Sequence, residues 1–297
     1  MNQITGHTRF GGLLGSPVSH SISPAMHNMA FRERGIDWVY LAFDVTPDRL
    51  GETLKVFREL NVFGFNVTMP DKQSVMEYLD EVSAAARMIG AVNTIVNRDG
   101  RLTGHNTDGY GFSESVREKG FEFAGAEMTI LGAGGAGRAA AVQAALDGVK
   151  KLHIANRRTR SWKAAGELAE QISRMTDCEA DLTDLDDRTA LAQKIDASSL
   201  LVNATPVGMA AQSGKSPLPD PDLLREGLTV MDLIYDPART RLLEDARRAG
   251  CRTFNGMYML LWQGAEAFRL WTGQEMPVEK IRRSFFADPE DQREDPV

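Results

Sequence analysis

Two cysteines, Cys178 and Cys251, are too few for a disulfide framework in 297 residues. Neither lies in a Cys-x-x-Cys pair or a Cys/His cluster with zinc-ligand spacing, so no metal site is expected, and a reducing, cytoplasmic setting is the default. A basic excess is also missing. Forty-one acidic side chains against 34 basic ones leave a net charge of −7, which argues against a general nucleic-acid binder. No apolar run reaches the ~18 residues of a membrane span, and the polar stretch from Met1 to Arg9 lacks the apolar core of a secretory signal. Internal repeats and low-complexity blocks are absent. What is present is 42% hydrophobic and 25% charged residues, enough to bury a core, over a length that suits about two domains.

Short elements with frequent punctuation predict alternating helices and strands. Ser23-Pro24 reads as a hydroxyl N-cap followed by proline at the first helical position, with Gly35 closing that helix. Val39 to Val45 and Phe63 to Val67 read as strands, separated by a helix begun at Thr46-Pro47. Asp99-Gly100 marks the turn of a hairpin between Val92–Val96 and Arg101–Gly104. Further on, the apolar strands Glu127–Leu131, Lys151–Ala155, Leu200–Ala204 and Leu228–Leu233 alternate with helical patterns, which predicts a doubly wound parallel sheet. Arg239 to Arg248 and Gly256 to Trp271 are expected helices, and Ala287 to Val297 an expected frayed tail.

Gly132, Gly134 and Gly137 form G-x-G-x-x-G between a strand and an alanine-rich helix, the context a dinucleotide requires. The first glycine permits the tight turn, the second a close approach of backbone to pyrophosphate, and the third close helix–sheet packing; the helix N-terminus supplies N–H groups. The tip of the next strand reads the adenosine ribose. It carries Asn156, Arg157, Arg158, Thr159 and Arg160 with no acid, which favours NADP through guanidinium–phosphate contacts, although one arginine stacked on adenine would permit NAD.

Four polar clusters at 19–24, 66–72, 90–94 and 105–109 sit at element ends, where α/β folds place ligands. Their hydroxyls, amides and lysine suit a polyhydroxylated carboxylate. Ser21 and Ser23 can donate to a carboxylate; Thr68, Asn93 and Asp108 can pair with ring hydroxyls; Lys72 can shuttle a proton. Each cluster alone is equally explained by capping and turn chemistry, with Asn93 and Asn106 as Asx-turns. His20, His27 and His105 read as packing or hydrogen-bonding groups. Asp71 adds a negative charge beside Lys72. Facing inward it would keep the lysine protonated to higher pH; facing solvent it would be screened.

From about Gly12 to Phe286 the chain resembles the shikimate dehydrogenase family. The resemblance rests on GSPVSHSISPAMHN (15–28), NVTMPDK (66–72), GAVNTIVN (90–97), NTDGYG (106–111), GAGGAG (132–137), NATPVGM (203–209), DLIYDPARTRLL (232–243) and GMYMLLWQGAEAF (256–268). Met69-Pro70 and the segment Leu261–Glu266 look most like the quinate/shikimate branch. The family implies an α/β fold with two lobes. A substrate lobe (1–108 and 256–297) is completed by C-terminal helices, and a Rossmann-type dinucleotide lobe (109–255) is inserted into it. It implies reversible NAD(P)-linked interconversion of 3-dehydroshikimate and shikimate. Lys72 and Asp108 would be the catalytic pair, and Ser21, Ser23, Thr68, Asn93, Asp108, Tyr235 and Gln263 the substrate site. Gly132, Gly134, Gly135, Ala136, Gly137, Asn156, Arg157, Arg158, Arg160 and Gly256 would hold the cofactor. The expected partner is a shikimate-like cyclohexane carboxylate, bound by a monomer or homodimer, with closure of the lobes gating turnover. One departure bears on the cofactor: in the dual-substrate branch an acid commonly follows the second arginine and favours NAD, whereas Thr159 stands here, supporting NADP. Two alternatives stay open: quinate or an aminoshikimate as substrate, with NAD or both cofactors, and a catalytically silent dinucleotide-binding regulator.

Overall fold

In the computed structural model, which describes residues 4–60, 62–218 and 220–286, the chain divides into two units. The first takes in the chain up to Thr107 and again from Leu261 onward; the second is Asp108–Leu260. The tail from Ala287 and the first three residues, on which sequence-based expectations also fell, lie outside the described residues.

The first unit contains β1 (Arg9–Gly15), α1 (Ser23–Glu33), β2 (Trp38–Asp44), α2 (Leu50–Glu59), β3 (Gly64–Val67), β4 (Glu81–Val82), α3 (Ala84–Ile89), β5 (Thr94–Arg98) and β6 (Arg101–His105). Its mixed sheet runs β2-β1-β3-β5-β6-β4, with β3/β5 and β5/β6 antiparallel. The hairpin turn is as expected: Asp99 and Gly100 both have positive φ (52° and 84°), the conformation of a two-residue type I′ turn that matches strand twist. The sheet is glycine-thinned where strands crowd, since a Cβ at Gly12 would meet the Leu41 carbonyl. Leu14, Leu50, Leu54, Phe65, Val67 and Ile95 fill one side of it, each buried side chain contributing about 1.5–3 kcal/mol.

The second unit comprises α4 (Asp108–Glu118), β7 (Glu127–Leu131), α5 (Gly135–Leu146), β8 (Lys151–Asn156), α6 (Trp162–Met175), β9 (Glu179–Asp184), α7 (Arg188–Ala197), β10 (Leu200–Asn203), β11 (Thr229–Asp232), α8 (Arg241–Arg248) and β12 (Arg252–Asn255). All six strands are parallel in the order β12-β11-β10-β7-β8-β9. The chain enters at the centre, winds out through β8 and β9, then returns to β10 and winds the other way. The expected doubly wound sheet is therefore present, with its switch point between β7 and β10. Alanines 139, 140, 141, 144 and 145 of α5 are all buried; small side chains let this helix lie close to its neighbours. Gly109 on α4 serves the same packing, since a Cβ there would stand 3.1 Å from the Ala139 carbonyl oxygen.

Two helices end the described chain, α9 (Met257–Thr272) and α10 (Val278–Phe285). Within the first unit, Trp271 of α9 is buried against His27, Tyr40 and Phe63, and its indole N–H donates to the Ile95 carbonyl at 2.9 Å. The returning C-terminal segment thus completes the first unit's core. No helix among the described residues is long and apolar enough to cross a membrane.

Candidate functional site

In the first unit the polar clusters converge through backbone bonds. The Val92 N–H donates to the Lys72 carbonyl at 2.7 Å, Val67 N–H to the Asn93 carbonyl at 2.9 Å, and Asn93 N–H to the His105 carbonyl at 3.0 Å. These three bonds tie the segments 66–72, 90–94 and 105–107 together. The lysine's main chain is also set in a turn, Asp71 N–H donating to the Thr68 carbonyl at 3.1 Å.

Side chains extend the cluster. Asn93 is 3% exposed and is no Asx-turn: its Oδ1 accepts from the Thr107 N–H at 2.7 Å, and its Nδ2 donates to Thr107 Oγ1 at 3.0 Å. Asn66 donates to Thr94 Oγ1 (3.0 Å) and to the Asn93 carbonyl (3.1 Å), and accepts from the Tyr40 hydroxyl (2.7 Å). Tyr40 in turn bonds the Ser23 side chain, and burial holds its phenol well above its usual pKa. This overturns one expectation. Ser23 is the first residue of α1 and makes no capping bond; Ile22 is the N-cap. Its hydroxyl is drawn instead to a tyrosine on a neighbouring strand, while Ser21 Oγ accepts the Ser23 N–H at 3.2 Å.

Tyr40, Asn66, Thr94 and Thr107 are the positions of this network that the sequence alone does not single out as site residues. Gln263 stands on α9 beside Gly264, whose missing side chain lets α9 approach Met26 of α1. His27 packs without hydrogen bonds among the described residues: it stacks on Tyr40 (ring centroids 4.6 Å apart), and burial lowers its pKa to about 3. Asp71 is 2% exposed, so it faces inward. The Ser74 hydroxyl reaches its Oδ1 at 3.3 Å, and burial raises its pKa.

In the second unit Asp108 opens α4, and Tyr235, half exposed, follows β11. The glycine loop divides as its spacing predicts. Gly132 (φ 95°) makes the turn, where a Cβ would lie 2.9 Å from Thr205 Cγ2; at Gly137 it would overlap the Gly132 carbonyl oxygen. At Gly134 and Gly135 a Cβ would meet nothing within 4 Å. Open space therefore lies over the start of α5, whose N-cap is Gly134 and whose first N–H groups receive no capping side chain. That is a cradle for a diphosphate, and it fits a dinucleotide. Beyond β8, Asn156 Nδ2 donates to Ser161 Oγ (3.1 Å) and Arg158 Nε donates to Asp184 Oδ2 (2.6 Å). Gly256 presses on the Leu233 carbonyl and donates its N–H to the Ile234 carbonyl at 3.2 Å. Among the described residues no group of three or more His, Cys, Asp or Glu is placed to hold a metal ion.

Comparison with known proteins decides the family. The chain is 49% identical over 284 residues to a shikimate dehydrogenase (NADP(+)) of Listeria monocytogenes serotype 4b, covering 96% of this chain and 98% of that one. The chain belongs to the shikimate dehydrogenase family. Family models agree in two places: a shikimate dehydrogenase substrate binding domain over residues 13–95 and a shikimate 5'-dehydrogenase C-terminal domain over 256–284. A quinate/shikimate dehydrogenase of Escherichia coli (strain SMS-3-5 / SECEC) is 41% identical over 94% of this chain and 97% of its own length. The crystal structure of shikimate 5-dehydrogenase from Listeria monocytogenes, in complex with shikimate and NAD, superposes with a TM-score of 0.94 at 48% identity, covering 96% of this chain and 99% of that one.

One buried group in this shikimate dehydrogenase fold lies behind the glycine loop. Asp232, at the end of β11, accepts from Asn203 Nδ2 (2.9 Å), Thr240 Oγ1 (2.7 Å) and the Ile234 N–H (3.1 Å). Asn203 in turn holds the Thr205 N–H and hydroxyl, so the switch-point loop is anchored from beneath. Burial raises the Asp232 pKa from 3.8 to about 6 despite the three donors. The folded form therefore binds this proton more tightly than the unfolded one. The resulting stabilisation is complete below pH 3.8 and is lost as pH rises through about 6, a change of roughly 3 kcal/mol. Asp232→Asn is expected to flatten the fall in unfolding midpoint between about pH 4 and 6. The same slope in both proteins would show that this carboxyl does not titrate there.

Proposed function

We propose that this chain is a shikimate dehydrogenase reducing 3-dehydroshikimate reversibly with NADP. Its first unit takes the cyclohexane carboxylate and its second takes the dinucleotide. The observation that carries the reading is the near-full-length likeness to relatives named for this reaction. The open cradle at Gly134 and Gly135 supports the cofactor. Bound NADPH supplies the hydride. The chain's own residues do the rest: the Lys72 ammonium offsets charge on the ketone oxygen as it becomes an alkoxide and gives it a proton, then takes the proton back in the oxidation direction. Asp108 orients the lysine and the neighbouring hydroxyls. Ser21 and Ser23 receive the carboxylate, and Thr68, Asn93, Tyr235 and Gln263 the ring. Gly132, Gly134, Gly135, Ala136, Gly137 and Gly256 hold the diphosphate side of the cofactor; Asn156, Arg157, Arg158 and Arg160 hold its adenosine end.

The quinate/shikimate relative favours a second reading, in which quinate is also oxidised and NAD is also used. An activity matrix decides between them: shikimate and quinate, each with NAD and NADP. We expect the largest kcat/KM for shikimate with NADP. A larger value for quinate, or for NAD, would replace the first reading by the second. No turnover in any of the four cells, with NADPH still bound, would leave a silent dinucleotide-binding protein.

A further inference from the structure

The adenosine end of the glycine-loop unit is less basic than its arginines suggest. β9 lies beside β8, with Asn156 in register with Asp184, so the tip that reads the ribose is flanked by the end of the next strand. Asp184 Oδ2 accepts from Arg158 Nε at 2.6 Å, and its Oδ1 accepts the Asp186 N–H at 3.1 Å. The Arg158 guanidinium also lies over the Trp162 ring, 4.8 Å from its centroid, so that side chain is held on two sides. Arg157 Nε stands 3.8 Å from Asp186 Oδ1. Lys163, one turn into α6, pairs with Glu167 at 3.7 Å. Arg160 alone of the three arginines makes no ion pair among the described residues. Two carboxylates against three guanidiniums leave one net positive charge where three were expected.

We propose that Asp184 and Asp186 are specificity-determining residues for the dinucleotide, offsetting Arg158 and Arg157 so that NADP is preferred over NAD by less than three free arginines would give. The proposal rests on the dinucleotide reading of this unit. A 2′-phosphate brings about two negative charges; it must share the Arg158 guanidinium with the carboxylate hydrogen-bonded to it and meets a second carboxylate 3.8 Å from Arg157 Nε, so that only Arg160 is not opposed by an acid among the described residues. A ribose 2′-hydroxyl carries no such penalty, because a carboxylate accepts its hydrogen bond. Both acids thus act in the same direction, against the phosphate and towards the hydroxyl. They do from β9 what an acid at the end of β8 does in NAD-specific relatives of this fold class.

The test uses adenosine 2′,5′-bisphosphate and adenosine 5′-monophosphate as probes, with calorimetry on the full chain, for the wild type, Asp184→Asn, Asp186→Asn and the double variant. Each substitution is expected to tighten the bisphosphate by roughly three- to ten-fold relative to the monophosphate at low salt, and less at high salt. An unchanged ratio overturns the proposal. So does a falling one, which would mean that Asp184 orients Arg158 towards the phosphate. Asp186 is exposed, so its variant carries the test if Asp184→Asn unfolds. Failure of both probes to bind the wild type would instead remove the dinucleotide site itself, separating that failure from the specificity claim. Inactivity on shikimate with intact probe binding would refute the substrate reading alone.

Discussion

Lys72→Ala is expected to lower kcat by about three orders of magnitude or more while leaving NADPH affinity within about two-fold. Two losses combine in that figure. Proton transfer by a positioned acid is worth ~10²–10⁴ in rate, and a cation beside a developing alkoxide adds to it. The variant should keep its fold, because the main chain at this position is held by its own bonds. The Val92 N–H reaches the Lys72 carbonyl at 2.7 Å, and the Val75 N–H reaches the Asp71 carbonyl at 3.0 Å. Neither involves the ammonium. NADPH fluorescence titration and turnover, measured on one preparation, separate the two properties. Partial recovery with a small primary amine would mark the missing group as a proton carrier, which loss of packing could not mimic. Near-normal turnover would remove Lys72 from the chemistry and leave the first unit's polar network as a structural feature.

How far the sequence carried this reading can be seen residue by residue. Signals confined to a few consecutive positions were legible: the Asp99-Gly100 turn, the glycine loop, and the apolar runs that became β7, β8, β10 and β11. Their information is local, in the φ values a glycine permits or in a strand buried on both faces. Four strands carried no such signal. β9 and β12 are the two edges of the parallel sheet, where burial is partial and the sequences Glu-Ala-Asp-Leu-Thr-Asp and Arg-Thr-Phe-Asn are mostly polar. β4 is a two-residue edge of the mixed sheet. β1 (Arg-Phe-Gly-Gly-Leu-Leu-Gly) lies inside that sheet, but its glycines read as strand breakers; they are required by neighbours distant in sequence, since a Cβ at Gly11 or Gly12 would meet the Gly64 or Leu41 carbonyl. Contacts distant in sequence were illegible for the same reason. Ser23 reads as a cap when only its neighbours in sequence are considered; its partner Tyr40 stands on β2. The arginines at 157 and 158 looked unopposed because Asp184 and Asp186 reach them only once β9 is paired with β8. In both cases the partner is supplied by the sheet, from positions distant in sequence.

Gly134→Asp is expected to weaken NADPH binding by 100-fold or more while stabilising the free protein, two effects of opposite sign from one substitution. Gly134 is the N-cap of α5 in an extended conformation (φ −71°, ψ −173°) that any residue adopts, and a Cβ there meets nothing within 4 Å. An aspartate in that place is a preferred N-cap. Its carboxylate would accept the uncapped N–H groups and complement the helix dipole, for a gain of ~0.5–1 kcal/mol, or about 1–4 °C in a unit of this size. Those N–H groups are the ones a diphosphate would use, and the added charge repels it. Gly137→Ala should behave in the contrary way. Its methyl would collide with the Gly132 carbonyl oxygen, so the turn itself must shift, at a cost of about 1–3 kcal/mol, and stability should fall together with affinity. Thermal unfolding and NADPH titration of both variants distinguish a glycine kept for a ligand from one kept for packing. If Gly134→Asp binds NADPH as the wild type does, the space above α5 is not where the diphosphate lies. If it binds poorly but also unfolds early, the open space around Gly134 does not exist in the protein.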